Sequence, residues 1–215
     1  HELGNPLSIM ITSLEFLRQS LQQFHGELEE HVDLIQQNAV RMHELLTSLS
    51  DMSGLERFRF EREDIRKAVI PVLSFVGKMA EKSGITIKSD LASELPPCLI
   101  DVSQLRQVFL NLLKNAMEAT PKGGTITVRC GYRPGGISAN EGSVTVEVED
   151  TGIGVPSGDL ETIFKPFYST KQKGMGLGLS LCKGIIEKHG GSIRVESQEG
   201  KGSRFIVEIP SDQAL

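Results

Sequence analysis

Val144-Thr145-Val146-Glu147-Val148-Glu149-Asp150-Thr151-Gly152-Ile153-Gly154 alternates apolar and polar residues and then breaks into glycine. The alternation is the period-two pattern of a strand with one buried face. The glycines mark a turn directly after it, so Asp150 ends a strand. Working outward, residues 125–129 repeat the alternation, and the segment 131–140 between these strands has the composition of a hairpin loop. Residues 192–196 and 203–209 predict a closing hairpin. Asp101-Val102-Ser103-Gln104 reads as a capping box, with Asp101 as the cap and Gln104 reaching back. The helix it opens runs to about Ala119, with Leu105, Phe109, Leu112, Leu113 and Ala116 as its buried stripe and Asn111, Lys114, Asn115 and Glu118 on the opposite face. A second helix spans about 177–189 and stops at Gly190-Gly191. Hairpin-linked strands with helices over one face predict an α+β fold, a two-layer sandwich.

The first 53 residues follow another period. Leu3, Leu7, Met10, Leu14, Leu17, Leu21 and Phe24 are spaced 4, 3, 4, 3, 4, 3, and Leu28, Val32, Ile35, Ala39, Met42, Leu46 and Leu49 repeat that spacing. This is the seam of a coiled coil or helix bundle. Phe24-His25-Gly26-Glu27 suits a short turn between antiparallel helices. Two such helices bury both stripes best against a second copy, which predicts a homodimer built on a four-helix bundle. His1 falls on the outer face by the heptad, open to a partner. Asn5-Pro6 is compatible with two local structures. Either Asn5 caps a helix that starts at Pro6, or a longer helix runs through and Pro6 bends it.

The chain has 215 residues, of which 39% are hydrophobic, and a net charge of −5. That balance argues against electrostatic nucleic-acid binding, which needs a basic surface. Cys98, Cys130 and Cys182 have neither metal-like nor redox-like spacing and read as free thiols in a reducing, cytoplasmic compartment. No run reaches the ~18 apolar residues of a membrane span, so any membrane attachment lies in segments outside this chain.

Several residues have the chemistry of a nucleotide pocket. A carboxylate at Asp150 can accept a hydrogen bond from the exocyclic amino group of adenine and repel the carbonyl of guanine. Gly152 and Gly154 let backbone approach the ring. Gly174-Met175-Gly176-Leu177-Gly178 stands before a helix, where free N–H groups and the helix dipole favour phosphate. Lys171 and Lys173 precede it in a polar stretch that reads as a lid. Asn115 offers a neutral oxygen to a hard cation such as Mg2+, which binds mainly through phosphates and water.

Five motifs in chain order, with a sixth at residues 1–6, resemble the boxes of two-component sensor histidine kinases. Asn111-Leu-Leu-Lys-Asn115 looks like the asparagine box. Asp150-Thr-Gly-Ile-Gly154 looks like the first glycine box, Phe164-Lys-Pro-Phe167 the phenylalanine box, and Gly174-Met-Gly-Leu-Gly178 the second glycine box. Gly200-Lys-Gly-Ser203-Arg-Phe205 looks like the last glycine box, and His1-Glu-Leu-Gly-Asn-Pro6 like the phosphoacceptor box. The resemblance implies a dimerisation and histidine-phosphotransfer hairpin at 1–55 and a Bergerat-type ATP-binding domain at 60–215. It implies His1 as phosphoacceptor, Glu2 as its acid–base neighbour, and Asn5 as the residue orienting water in regulator dephosphorylation. It further implies ATP contacts from Asn111, Asn115, Asp150, Gly152, Gly154, Lys171, Gly174, Gly176, Leu177, Gly178 and Ser203. Asn115 would hold Mg2+, and the receiver domain of a response regulator would accept the phosphoryl group.

Two departures stand out. Glu118 replaces a lysine common near the end of the asparagine box, and no helix precedes His1 although family members extend upstream, so the chain is expected to be a piece of a longer protein. Related ATPases of the chaperone, gyrase and mismatch-repair group carry a catalytic glutamate where this chain has Asn111, and lack a phosphoacceptor box. They are the competing reading, together with a non-catalytic scaffold. Whether phosphorylation runs within or between subunits depends on the turn near residues 24–27 and stays open.

Overall fold

The computed structural model describes residues 58–138, 141–169 and 176–211. The chain divides into two compact units, His1–Arg57 and Phe58–Leu215, and every described residue belongs to the second. The helical hairpin and dimer expected over 1–55, with His1, Glu2 and Asn5, lie outside the described residues, as do Lys171 and Gly174.

The second unit is an α+β sandwich. In chain order it has β1 (Glu61–Glu63), α1 (Arg66–Ser83), β2 (Thr86–Leu91), β3 (Cys98–Ile100), α2 (Val102–Ala119), β4 (Thr125–Ser138), β5 (Glu141–Asp150), α3 (Gly178–Lys188), β6 (Ser192–Gln198) and β7 (Gly202–Pro210). Five strands form one sheet in the order β2-β4-β5-β7-β6, while β1 and β3 form a separate antiparallel pair. The sheet is mixed. β2 lies parallel to β4, and the other pairings are antiparallel. The parallel edge strand was not expected from the sequence, where only hairpins were visible.

Helix α2 forms where expected. It buries Leu105, Val108, Phe109, Leu112, Leu113 and Ala116, one residue more than the predicted stripe. Asp101 caps it, its Oδ1 accepting from the Ser103 and Gln104 N–H groups at 2.9 and 3.1 Å. The capping box is not reciprocal, however. The Asp101 N–H donates to His189 Nε2 at 3.0 Å instead of meeting the Gln104 side chain. His189 sits just past α3 and is 7% exposed. Its Nδ1 faces the Ile185 carbonyl at 2.7 Å, so the proton belongs on Nδ1 and Nε2 accepts. Phe58 and Phe60 lay their rings against the imidazole, 5.7 and 5.1 Å between centroids. This burial holds the His189 pKa below its ordinary value.

Helix α1, which the sequence reading left unassigned, buries Ala68, Val69, Val72, Val76 and Ala80 against the core. It carries Pro71 inside and has no side-chain bond from its cap residue Ile65. Both features hide a helix from local rules. The expected loop at 131–140 is also corrected. β4 runs on to Ser138 and β5 starts at Glu141, with a register irregularity between Arg133 and Ser138.

The three helices share one core with the inner face of the sheet. The outer face is a lattice of charge. Arg129 pairs with Glu147 and Glu149, Arg204 with Glu147 and Glu196, Arg194 with Glu196 and Glu208, and Arg133 with Glu208. Each exposed pair is worth only ~0–1 kcal/mol; together they keep an open sheet face wetted. Ile206 lies on this face between Arg204 and Glu208, with Glu147 and Arg194 as cross-strand partners. It is nevertheless 1% exposed.

Candidate functional site

Asp150 ends β5, opposite Ile126 on one side and Ser203 on the other. Its carboxyl Oδ1 accepts from the Gly152 N–H at 2.8 Å, and the group also accepts from the Ser203 backbone N–H. Burial pushes its pKa above the usual carboxylate range, outweighing these two donors, and the charge of Glu149 pushes the same way. A carboxylate so held has a fixed direction and keeps oxygen capacity for a ligand N–H.

The loop after Asp150 is tied on two sides. The Ile153 N–H donates to the Ala119 carbonyl at the end of α2, at 3.2 Å, and the Gly200 N–H of the β6–β7 turn donates to the Ile153 carbonyl at 2.7 Å. The Val155 N–H donates to Ser197 Oγ at 2.8 Å. Ser197 Oγ in turn bonds the Gly202 carbonyl and Ser203 Oγ, at 2.8 and 3.1 Å. The glycines make this junction possible. A Cβ on Gly152 would stand 2.5 Å from the Ala119 carbonyl oxygen, and one on Gly202 1.9 Å from that of Asp150. The expected role of these glycines, close approach of backbone to a ring, is thus joined by a second one, close approach of backbone to backbone.

Asn111 and Asn115 lie on the less buried face of α2, half-buried. Asn111 is not simply turned to solvent. Its Nδ2 is 4.0 Å from where a Gly178 Cβ would be, at the start of α3. Leu177 and Gly178 stand at the start of α3. Gly176, at φ +68°, backs onto the Phe167–Tyr168 backbone, with its Cβ position 2.4 Å from the Tyr168 carbonyl oxygen. Phe164 anchors that loop by an edge-on contact with Phe205, 6.4 Å between centroids.

A chain of direct contacts therefore runs from the β6–β7 turn through the Asp150 loop to α2, and from α2 to the start of α3. It joins Asp150, Gly152, Ser203, Asn111 and Gly178; Gly154 backs onto the Gln198 carbonyl, Gly176 and Leu177 directly precede Gly178 in the chain, and Asn115 lies one helical turn on from Asn111. The three cysteines form no disulfide and are buried, the burial not having been expected from the sequence. The sequence reading passed over Cys182, although its position four residues after Gly178 puts both on one face of α3. Among the described residues no group of three His, Cys, Asp or Glu side chains could hold a metal. The oxygens on offer are neutral amides, which suits a hard cation that brings phosphate and water ligands with it.

A family model for the histidine kinase-, DNA gyrase B- and HSP90-like ATPases matches residues 100–213. A model for the His Kinase A (phospho-acceptor) domain matches residues 1–57. The chain belongs to the histidine kinase-, DNA gyrase B- and HSP90-like ATPase family, and the two matched domains together are those of a sensor histidine kinase catalytic core. Among curated relatives, sporulation kinase C of Bacillus subtilis is 34% identical over 98% of this chain and 47% of its own length. Sporulation kinase E of the same organism is 30% identical over 99% of this chain and 28% of its own length. The chain thus spans less than half the length of these relatives. The catalytic domain of histidine kinase ThkA superposes with a TM-score of 0.62 at 33% identity, covering 72% of this chain and 97% of that one. ThkA in complex with response regulator protein TrrA covers 99% of this chain and 59% of its own, with a TM-score of 0.67 at 27% identity. Among the described residues no helix is long and apolar enough to cross a membrane.

Proposed function

We propose that this chain binds ATP between α2, α3 and the Asp150 loop, transfers the γ-phosphoryl group to His1, and passes it to an aspartate of a response-regulator receiver domain. The observation that carries this is the buried Asp150 carboxylate, held by two backbone N–H groups at a strand end, in a chain that also has a phosphoacceptor domain. In this reading the Asp150 oxygens accept from the adenine amino group. Asn111 and Asn115 face the phosphates, with Asn115 as ligand to Mg2+, which would neutralise charge on the phosphates. The backbone at Gly174, Gly176, Leu177 and Gly178 meets the triphosphate at the positive end of α3, Lys171 closes over it, and Gly154 and Ser203 complete the wall.

The neutral imidazole of His1 attacks the γ-phosphorus, the bond to the β–γ bridging oxygen breaks, and ADP leaves. Glu2 takes up the proton, or a hydrogen bond, from the far ring nitrogen. The chain's contribution is chiefly alignment and charge neutralisation. The likeness to ThkA solved with a response regulator supports a receiver domain as the onward partner, and Asn5 would orient water when the regulator is dephosphorylated. The phosphotransfer hairpin would occupy 1–55 and dimerise, the ATP domain 60–215, and both would work in the cytoplasm.

The test is incorporation of label from γ-labelled ATP with Mg2+, beside a His1→Gln control. Acid-labile, base-stable label that is absent from the control is the expected result. Steady ATP hydrolysis without phosphohistidine would overturn the kinase reading.

A further inference from the structure

We propose that His189 is a positioning residue for phosphoryl transfer to His1: with Asp101 it latches residues 58–60, where the chain enters the ATP domain, onto the two helices that carry the phosphate site. This rests on the reading of the α2–α3 face as the site of ATP phosphates and of His1 as their acceptor.

The first compact unit ends at Arg57 and the second begins at Phe58. The β1–β3 ladder reaches back only to Glu61, opposite Ile100, so residues 58–60 lie outside it. Side chains hold them instead. The Arg59 N–H donates to Asp101 Oδ2 at 2.8 Å, while Oδ1 of the same carboxylate caps α2. The rings of Phe58 and Phe60 stack on each other, 18° between planes and 5.5 Å between centroids, and both stand edge-on to the His189 imidazole. Lys188 Nζ lies 4.6 Å from the Phe58 centroid. The imidazole is itself pinned, Nε2 by the Asp101 N–H and Nδ1 by the Ile185 carbonyl. One carboxylate and one imidazole thus tie the entering chain to the start of α2 and the end of α3.

What the arrangement supplies is position. Neither phenylalanine is fully buried: Phe60 is 39% exposed and Phe58 half-buried. Helix α3 runs from Gly178, at the phosphate end, to Lys188 beside the latch, 11 residues or about 16 Å at a helical rise of ~1.5 Å per residue. The same α2 that starts after Asp101 carries Asn111 and Asn115. Between the entry point of the chain and the phosphate site there is therefore helix and no loop. Transfer to His1 depends on how often the imidazole and the γ-phosphate meet, an effective concentration set by the length and stiffness of what joins them. Without the latch, residues 58–60 become free linker, about 10 Å of added reach, and the productive arrangement is met less often.

The test separates transfer from nucleotide binding, in the full chain with Mg2+. It compares the initial rate of phosphohistidine formation at saturating γ-labelled ATP with the affinity for a fluorescent ATP analogue. Phe58→Ala together with Phe60→Ala cuts the latch from the linker side. This pair is expected to lower the rate about three- to tenfold while affinity stays within about twofold of wild type. Phe60→Tyr, which keeps a ring against the imidazole, keeps the wild-type rate. His189→Gln lowers the rate as the paired change does, and added to that pair lowers it less than about twofold further, because both act through one latch. Amide hydrogen exchange at Arg59, faster in the paired variant, reports the release directly. An unchanged or faster rate in the paired variant, or equal losses of rate and affinity, overturns the proposal. Wild-type protein that binds ATP but forms no phosphohistidine overturns the kinase reading instead, a result told apart by the unmutated protein alone.

Discussion

Gly200 and Gly202 both have positive φ, +78° and +98°, yet alanine is expected to behave very differently at the two. At Gly200 a Cβ meets nothing within 4 Å. Gly200→Ala therefore bears only the backbone penalty of a left-handed residue, ~1–2 kcal/mol, partly offset by a stiffer unfolded chain. At Gly202 the Cβ would stand 1.9 Å from the Asp150 carbonyl oxygen and 2.9 Å from its carbon. An ordinary contact begins at 3.4 Å, so backbone must move by about 1.5 Å (3.4 minus 1.9). The movement falls on the Asp150–Ser203 register pair, where an orphaned buried carbonyl costs ~1–3 kcal/mol. With the backbone penalty the total is ~2–5 kcal/mol. For a domain of this size that is roughly 6–15 °C in Tm, against roughly 2–5 °C for Gly200→Ala. Calorimetric melts of the two variants and wild type measure both numbers. Because the displaced residue is Asp150, Gly202→Ala also weakens nucleotide binding, and Gly200→Ala does not. Equal Tm losses for the two variants would refute the steric argument, since their backbone terms are alike.

Two further outcomes follow from buried ionisable groups. Asp150→Asn should weaken ATP binding tenfold or more, the size of a charged acceptor (~1.5–3 kcal/mol), while raising Tm at neutral pH. The folded-state pKa of Asp150 is raised, so its contribution to stability is fullest below the unfolded value of 3.8 and is lost as pH rises through the folded value; a lower Tm for Asp150→Asn at pH 7 would contradict this. His189 works in the opposite direction on the pH scale. Its folded-state pKa is depressed by burial, so its contribution is present above the unfolded value of 6.5 and fades as pH falls toward the folded one. A stability slope just below pH 6.5 in wild type that persists in His189→Gln would show that another group is responsible.

How much of this could be read from the chain divides by distance. Helix α2 was legible because its signals lie within a few residues of one another, an acidic cap and a stripe repeating every three or four positions. The strand into Asp150 was legible for the same reason, and so were the motifs that resemble the kinase boxes. Helix α1 was not, because Pro71 and a cap without a side-chain bond remove the local marks, and only burial against the core keeps it helical. Pro134-Gly135-Gly136 reads as a turn on composition, yet β4 passes through it because β5 supplies a partner for the backbone on either side.

The sequence by itself determined which chemistry is available: a carboxylate at a strand end, amides on the less buried face of a helix, and glycines at the turns between. Only the tertiary structure decided how those groups are aimed. His189 takes the Asp101 N–H across 88 positions of sequence, displacing the local partner Gln104. Ile206 is buried although its strand neighbours and cross-strand partners are charged. Asn111 lies beside Gly178 because α2 and α3 pack side by side. Each of these depends on contacts between residues far apart in the chain, which no local propensity encodes, whereas caps, periodicity and turn residues act through the neighbouring backbone and survive in the linear text.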